Sequence, residues 1–152
     1  MVLPSPIQTF LAEHTLATIA TIASDNPYPH ILPVFYVARE SVVYFASNKK
    51  NKKLQDIISH PQIALSITDE KLMASLEMKG TALLVKSSEK KLEVLKKISE
   101  VAVSESKNAF PPLVQLDTGE GIEVVEFSVV WFRLSSYDRE KPEFLESSTV
   151  VS

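Results

Sequence analysis

The chain has 152 residues, 45% of them hydrophobic and 23% charged, which fits one globular domain with a sizeable core. Its net charge of −3 offers no broad field to nucleic acid or an anionic membrane, and its lack of cysteine excludes disulfides, thiolate metal sites and cysteine nucleophiles. No stretch reaches the roughly 20 apolar residues that span a bilayer, and the start lacks a basic-then-apolar leader pattern, so the expected location is the cytoplasm with no membrane contact.

Pro4-Ser5-Pro6 opens a short helix, with Ile7, Phe10 and Leu11 at helical spacing. Thr15 to Ala23 alternates small, β-branched and apolar residues and reads as a largely buried strand. A turn over Ser24-Asp25-Asn26-Pro27 leads to a second strand from Pro29 to Val37. Proline removes a ladder donor, so Pro29 suits the strand's start, and Pro33 points to a backbone that faces a cleft. Val42 to Ser47 forms a third strand and runs into Asn48-Lys49-Lys50-Asn51-Lys52-Lys53. Leu54, Ile57 and Ile58 supply the apolar face of a short helix closed by His60-Pro61. Gln62 to Thr68 and Leu72 to Lys86 are further strands, with Gly80 a bulge or close approach. Ser88 to about Ser104 is the clearest helix, its stripe carried by Leu92, Leu95, Ile98 and Val101 or Ala102. Lys107 to Gly121 reads as a loop and Ile122 to Leu134 as a last long strand. The polar tail after Tyr137 is expected to be poorly tied down, giving a single domain over 1–140 and a tail over 141–152. Many strands in close succession with one long helix favour a mainly β, antiparallel barrel or sandwich over an alternating βαβ fold.

The lysine run is the chain's most pointed chemical feature. Lysines at a helix start oppose its dipole, by about 0.3–1 kcal/mol each, so their presence there suits either an anion site or a solvated basic face. The three glycines, at 80, 119 and 121, form no phosphate loop of the nucleotide-binding kinds. His14, His30 and His60 lack metal-ligand spacing, and His30, at the start of the second strand, is either a cofactor contact or an edge histidine. No serine sits in a nucleophile-elbow motif, and Asp69-Glu70 and Glu120 with Glu123 read as solvated charges. An anion site without a reactive constellation is the pattern of a protein whose chemistry comes from a bound cofactor.

From about Phe10 to Val85 the order of features resembles the pyridoxamine 5′-phosphate oxidase-like, FMN-binding split-barrel family. The matching stretches are LATIAT at 16–21, DNPYPHILPVFYV at 25–37, VYFASNKKNKKLQDIISHPQIALSI at 43–67 and GTALLV at 80–85. The resemblance implies a Greek-key-like split barrel, a homodimer, and FMN lying against the second and third strands. By position, Leu32, Pro33, Val34 and Phe35 would line the flavin, and His30 stands at the head of that strand. Ala46 and Ser47 would meet the ribityl chain or phosphate, Lys52 and Lys53 would neutralise the phosphate, and Asn51 would cap the helix. Ser75 falls where a hydrogen bond to the flavin ring is often made.

The departures from the family pattern narrow the expectation. The arginine that helps bind FMN phosphate in pyridoxamine phosphate oxidases aligns with Leu32, and the substrate-contacting lysine aligns with Val37. Their C-terminal arginine–histidine motif has no counterpart in WFRLSSYD at 131–138. The expectation is therefore an FMN-binding flavoprotein that oxidises or reduces an unidentified small molecule, but not a pyridoxamine phosphate oxidase. Alternatives are a deazaflavin- or haem-binding relative and a non-catalytic stress or regulatory module that has lost its cofactor. Nucleic-acid binding is the weakest, because aromatic residues do not interleave the lysines.

Overall fold

The computed structural model describes residues 1–105, 121–138 and 140–148. In chain order the elements are α1 (Ser5–Glu13), β1 (Leu16–Thr21), β2 (His30–Arg39), β3 (Val42–Asn48), α2 (Lys52–Ser59), β4 (Gln62–Asp69), β5 (Ala74–Leu84), α3 (Ser88–Glu105), β6 (Ile122–Ser136) and β7 (Glu143–Ser148). The strands run β3-β2-β1-β4-β5-β6, every described pairing is antiparallel, and β3 also pairs with β6. That last pairing closes six strands into a barrel, the mainly β architecture expected, and it removes the two open edges that a flat sheet would expose.

Alternation along the strands builds two cores rather than one. Ala17, Ile19, Val34, Tyr36, Val43, Phe45, Leu65 and Phe127 fill the barrel with residues from α1 and α2. Phe35, Tyr44 and Val124, one residue out of phase, point outward and are buried with Val94, Leu95, Ile98 and Ala102 of α3. This second core explains a shift in α3's apolar stripe. Val94 is fully buried while Leu92, expected on the stripe, is 54% exposed, because 94, 95, 98 and 102 share the face toward the sheet.

Gly80 stands at a bulge, where the β5–β6 register shifts between Lys79 and Gly80. A Cβ there would lie 2.1 Å from the Ser128 carbonyl oxygen, so the close approach requires glycine. The loop expected over Lys107–Gly121 lies, apart from Gly121, outside the described residues. Within the tail expected to be poorly tied down, Glu143–Ser148 forms β7 and pairs with β6 from Trp131↔Ser148 to Ser136↔Glu143. The long β6 extends past the barrel and offers its edge there, so strand pairing orders a polar segment that composition reads as loose. No helix among the described residues is long and apolar enough to cross a membrane.

Candidate functional site

The barrel is split at one place. β2 and β3 pair only over Tyr36–Arg39 with Val42–Phe45, so His30 to Phe35 has β1 as a neighbour on one side and, among the described residues, no strand on the other. On the far side of this gap, Ala46, Ser47 and Asn48 pair only with β6. Pro33, opposite Thr18 in the β1 ladder, is exposed beside the gap, where its missing N–H leaves no strand partner unsatisfied. The two chain segments picked out for flavin contact, 32–35 and 46–47, therefore form the two banks of this gap in the strand pairing.

Their side chains divide by parity. Leu32 and Val34 pack toward the barrel core, while Phe35 and Ala46 face the second core beneath α3. The banks thus offer a ligand mainly backbone groups, the Pro33 ring and the end of β3 at Ser47, which is half-buried. Ser75 does not join them. β5 lies across the closed barrel from β2, with two strands between them in either direction.

The lysine run folds as a turn followed by a capped helix. Lys50 N–H donates to Asn48 Oδ1 at 2.9 Å, and Lys53 N–H donates to Asn51 Oδ1 at 3.1 Å, so Asn51 is the N-cap of α2 as expected. The four ammonium groups are not equivalent. Lys49 is exposed and lies 3.5 Å from Glu123, a carboxylate also 3.5 Å from Lys91. Lys52 donates to Asp25 Oδ2, which holds the Asp25 carboxyl below its ordinary range and raises the lysine. Lys50 and Lys53 have no ion pair among the described residues, and Lys53 is the half-buried one of the two. An incoming phosphate would find the charge of Lys53 available, while that of Lys52 would have to be taken from Asp25.

Beneath this turn lies a cluster that sequence reasoning did not single out. Asp56, one turn along α2, is 1% exposed. Its Oδ1 accepts from the Ser24 N–H at 3.2 Å and the Ser24 hydroxyl at 3.0 Å, and its Oδ2 lies 2.7 Å from His30 Nδ1. Burial pushes the Asp56 carboxyl up, but the hydrogen bonds from His30 and Ser24 outweigh it and leave the group below its ordinary range. The available signal was an aspartate between Leu54 and Ile57, on the face of a short helix that must turn inward. His30, at the start of β2, is thus held in place by a buried carboxylate.

The family described as Pyridoxamine 5′-phosphate oxidase matches residues 3–133. Similar folds occur in a conserved hypothetical protein from Mycobacterium tuberculosis, with TM-score 0.70, 18% identity and 88% of this chain and 85% of that one covered. An F420 reductase gives a TM-score of 0.67 at 17% identity, covering 86% of this chain and 98% of that one. General Stress Protein 26 from Bacillus anthracis str. Sterne gives 0.60 at 16% identity, covering 91% and 95%. No curated protein matches the chain. A barrel split beside a capped basic helix, with a sequence match over most of its length, makes this chain a member of the pyridoxamine 5′-phosphate oxidase family.

Proposed function

We propose that the chain is a flavin-binding oxidoreductase that holds FMN in the cleft between β2 and β3. The observation that carries this reading is the separation of those strands beside Lys53, a half-buried lysine with no ion pair among the described residues. The residues present fit the group. Lys53 would neutralise the phosphate, Lys52 would add its charge on leaving Asp25, and the Ser47 hydroxyl and Ala46 backbone would meet the ribityl phosphate. The unpaired backbone edge of Leu32–Phe35 and the exposed Pro33 ring would line the flavin, while the Leu32 and Val34 side chains support that bank from the barrel core. When bound, FMN supplies hydride or single-electron transfer to a small molecule. With Leu32 in the bank instead of a charged side chain, affinity for the phosphate rests on few cations.

A second copy of the chain belongs to this reading. Leu16, Ile22, Ile31 and Val130, on the barrel's strands or just past their ends, are each more than 40% exposed, an apolar surface that a homodimer would cover. The copy would also bring its Ser75 toward a cleft that the chain's own Ser75 does not reach. The proposed setting is the cytoplasm, and neither nucleic acid nor a membrane is a partner.

The visible absorption spectrum, together with a fluorescence titration of FMN, tests the cofactor. Bound flavin and a Lys53→Ala variant at least tenfold weaker are the expected results. A colourless protein that leaves FMN fluorescence unchanged overturns the reading. The same spectra, with a deazaflavin or haem added, separate those relatives. A cofactor-free regulatory module is the second reading, favoured by the occupation of Lys52 by Asp25. Sedimentation velocity at micromolar concentration tests the homodimer, and a monomer overturns that part.

A further inference from the structure

Two of the three histidines are paired with aspartates, and they differ in one respect. His14 has both ring nitrogens engaged: Nδ1 lies 2.6 Å from the Phe10 carbonyl oxygen and Nε2 lies 2.7 Å from Asp69 Oδ2. Its ring also stacks on Phe10 at 4.2 Å between centroids. That is a closed clasp between the end of α1 and the end of β4. His30 has only Nδ1 engaged, at 2.7 Å from Asp56 Oδ2, and its Nε2 has no hydrogen-bond partner among the described residues.

Asp56 is an ionised carboxylate and accepts only, so the hydrogen of that bond sits on His30 Nδ1. The tautomer is fixed, and Nε2 is the nitrogen left open to a ligand. The His30 side chain is 27% exposed, enough to reach water and a ligand, whereas its partner carboxylate is 1% exposed. A carboxylate that locks one imidazole nitrogen and frees the other makes histidine a directed proton carrier. The charges around it are few. Asp56 and Lys52 come from α2, and Asp25 from the β1–β2 connection is paired to Lys52. β1 brings only Thr21 opposite His30, and Thr21 Oγ1 is itself buried without a partner.

We infer that His30, positioned by Asp56, is a proton-gated ligand of the site: Nε2–H donates to the anionic group of the bound molecule, so that binding takes up a proton. This rests on the reading of the cleft as a phosphate-binding site, and it adds a residue that senses pH to lysines that do not titrate near neutrality. The arrangement favours anionic ligands, a phosphate ester above all, and weakens their hold as pH rises.

Calorimetric titration of the full-length protein with FMN at pH 7.5, in two buffers of different ionisation heat, reads the protons taken up. A phosphate monoester, with its second pKa about 6, is already dianionic there, so uptake comes from the protein. The expected uptake is about half a proton, with affinity falling roughly threefold from pH 7 to pH 8. His30→Gln should abolish both effects while still binding FMN. Asp56→Asn should reduce them, because it loosens the ring without removing it. Binding of FMN with no uptake, or with the same uptake in His30→Gln, overturns the inference and leaves the flavin reading standing. If FMN does not bind at all, the flavin reading falls, and inorganic phosphate followed by the His30 ring nitrogen shifts decides this one. Movement of Nε2 toward its protonated shift supports it, and an unmoved ring overturns it.

Discussion

Asp56 shows how much can depend on one side chain. A carboxylate taken out of water is costly unless its lone pairs are filled, and Ser24 and His30 fill three positions. Asp56→Ala leaves the Ser24 and His30 donors without an acceptor and should cost about 3–5 kcal/mol in urea denaturation. The pH dependence has a definite sign. Asp56 and Asp69 both have carboxyls below their ordinary range in the folded chain. Their stabilisation is therefore complete above the unfolded carboxylate pKa, about 4, and is lost as pH falls through the lower folded values. Thermal melts should be level from pH 7 to pH 5 and fall steeply below about pH 4. In Asp56→Asn that acid-side fall should be shallower, and an unchanged profile would assign the loss to other groups. Tyr36 is a second residue of this kind: its buried hydroxyl donates to the Leu11 carbonyl at 2.8 Å, and burial pushes the phenol up. Tyr36→Phe strands that carbonyl and should cost about 1–3 kcal/mol by the same measurement.

Among the elements, α2 and the β5 bulge carry the most specific local instructions. Asn51 caps a helix whose first turn holds two lysines and no acidic residue, so the cap opposes an unfavourable dipole interaction. Asn51→Ala should destabilise the chain by about 1 kcal/mol. On the proposed function it should also weaken FMN binding more than that loss alone explains, because the Lys53 N–H then loses its cap. Gly80→Ala tests the bulge, where the added methyl meets the backbone of β6 rather than a side chain that can swing away. A loss of about 2–4 kcal/mol is expected from the overpacking, and a neutral result would mean that β5 and β6 can separate locally. In α3 the buried face is the test of register. Leu95→Ala, at 1% exposure, should cost about 2–5 kcal/mol, and Leu92→Ala, at 54%, should cost little.

At the scale of the molecule, alternation, turn residues and the short basic helix were legible because they are local properties of the chain. They placed β1 to β6, α2, α3 and a mainly β, antiparallel barrel or sandwich class, but not β7. The ordered resemblance placed the cleft-lining segments 32–35 and 46–47. Other features are non-local and appear only when distant segments meet. Closure of β3 on β6 joins residues some 80 positions apart in sequence, and no periodicity within either strand encodes it. The parity that turns Phe35 and Ala46 beneath α3, and Leu32 and Val34 into the barrel, depends on which face the long helix covers. Charge pairing is non-local as well. The sequence by itself determined that a basic, capped helix start follows a buried strand, since dipole, cap and hydrophobic period act over a few residues. Only the tertiary structure decided that Lys49 and Lys52 are engaged, that Lys53 has no ion pair among the described residues, and that Asp56 fixes His30, because burial and partners are set by the approach of chain segments that the sequence keeps apart.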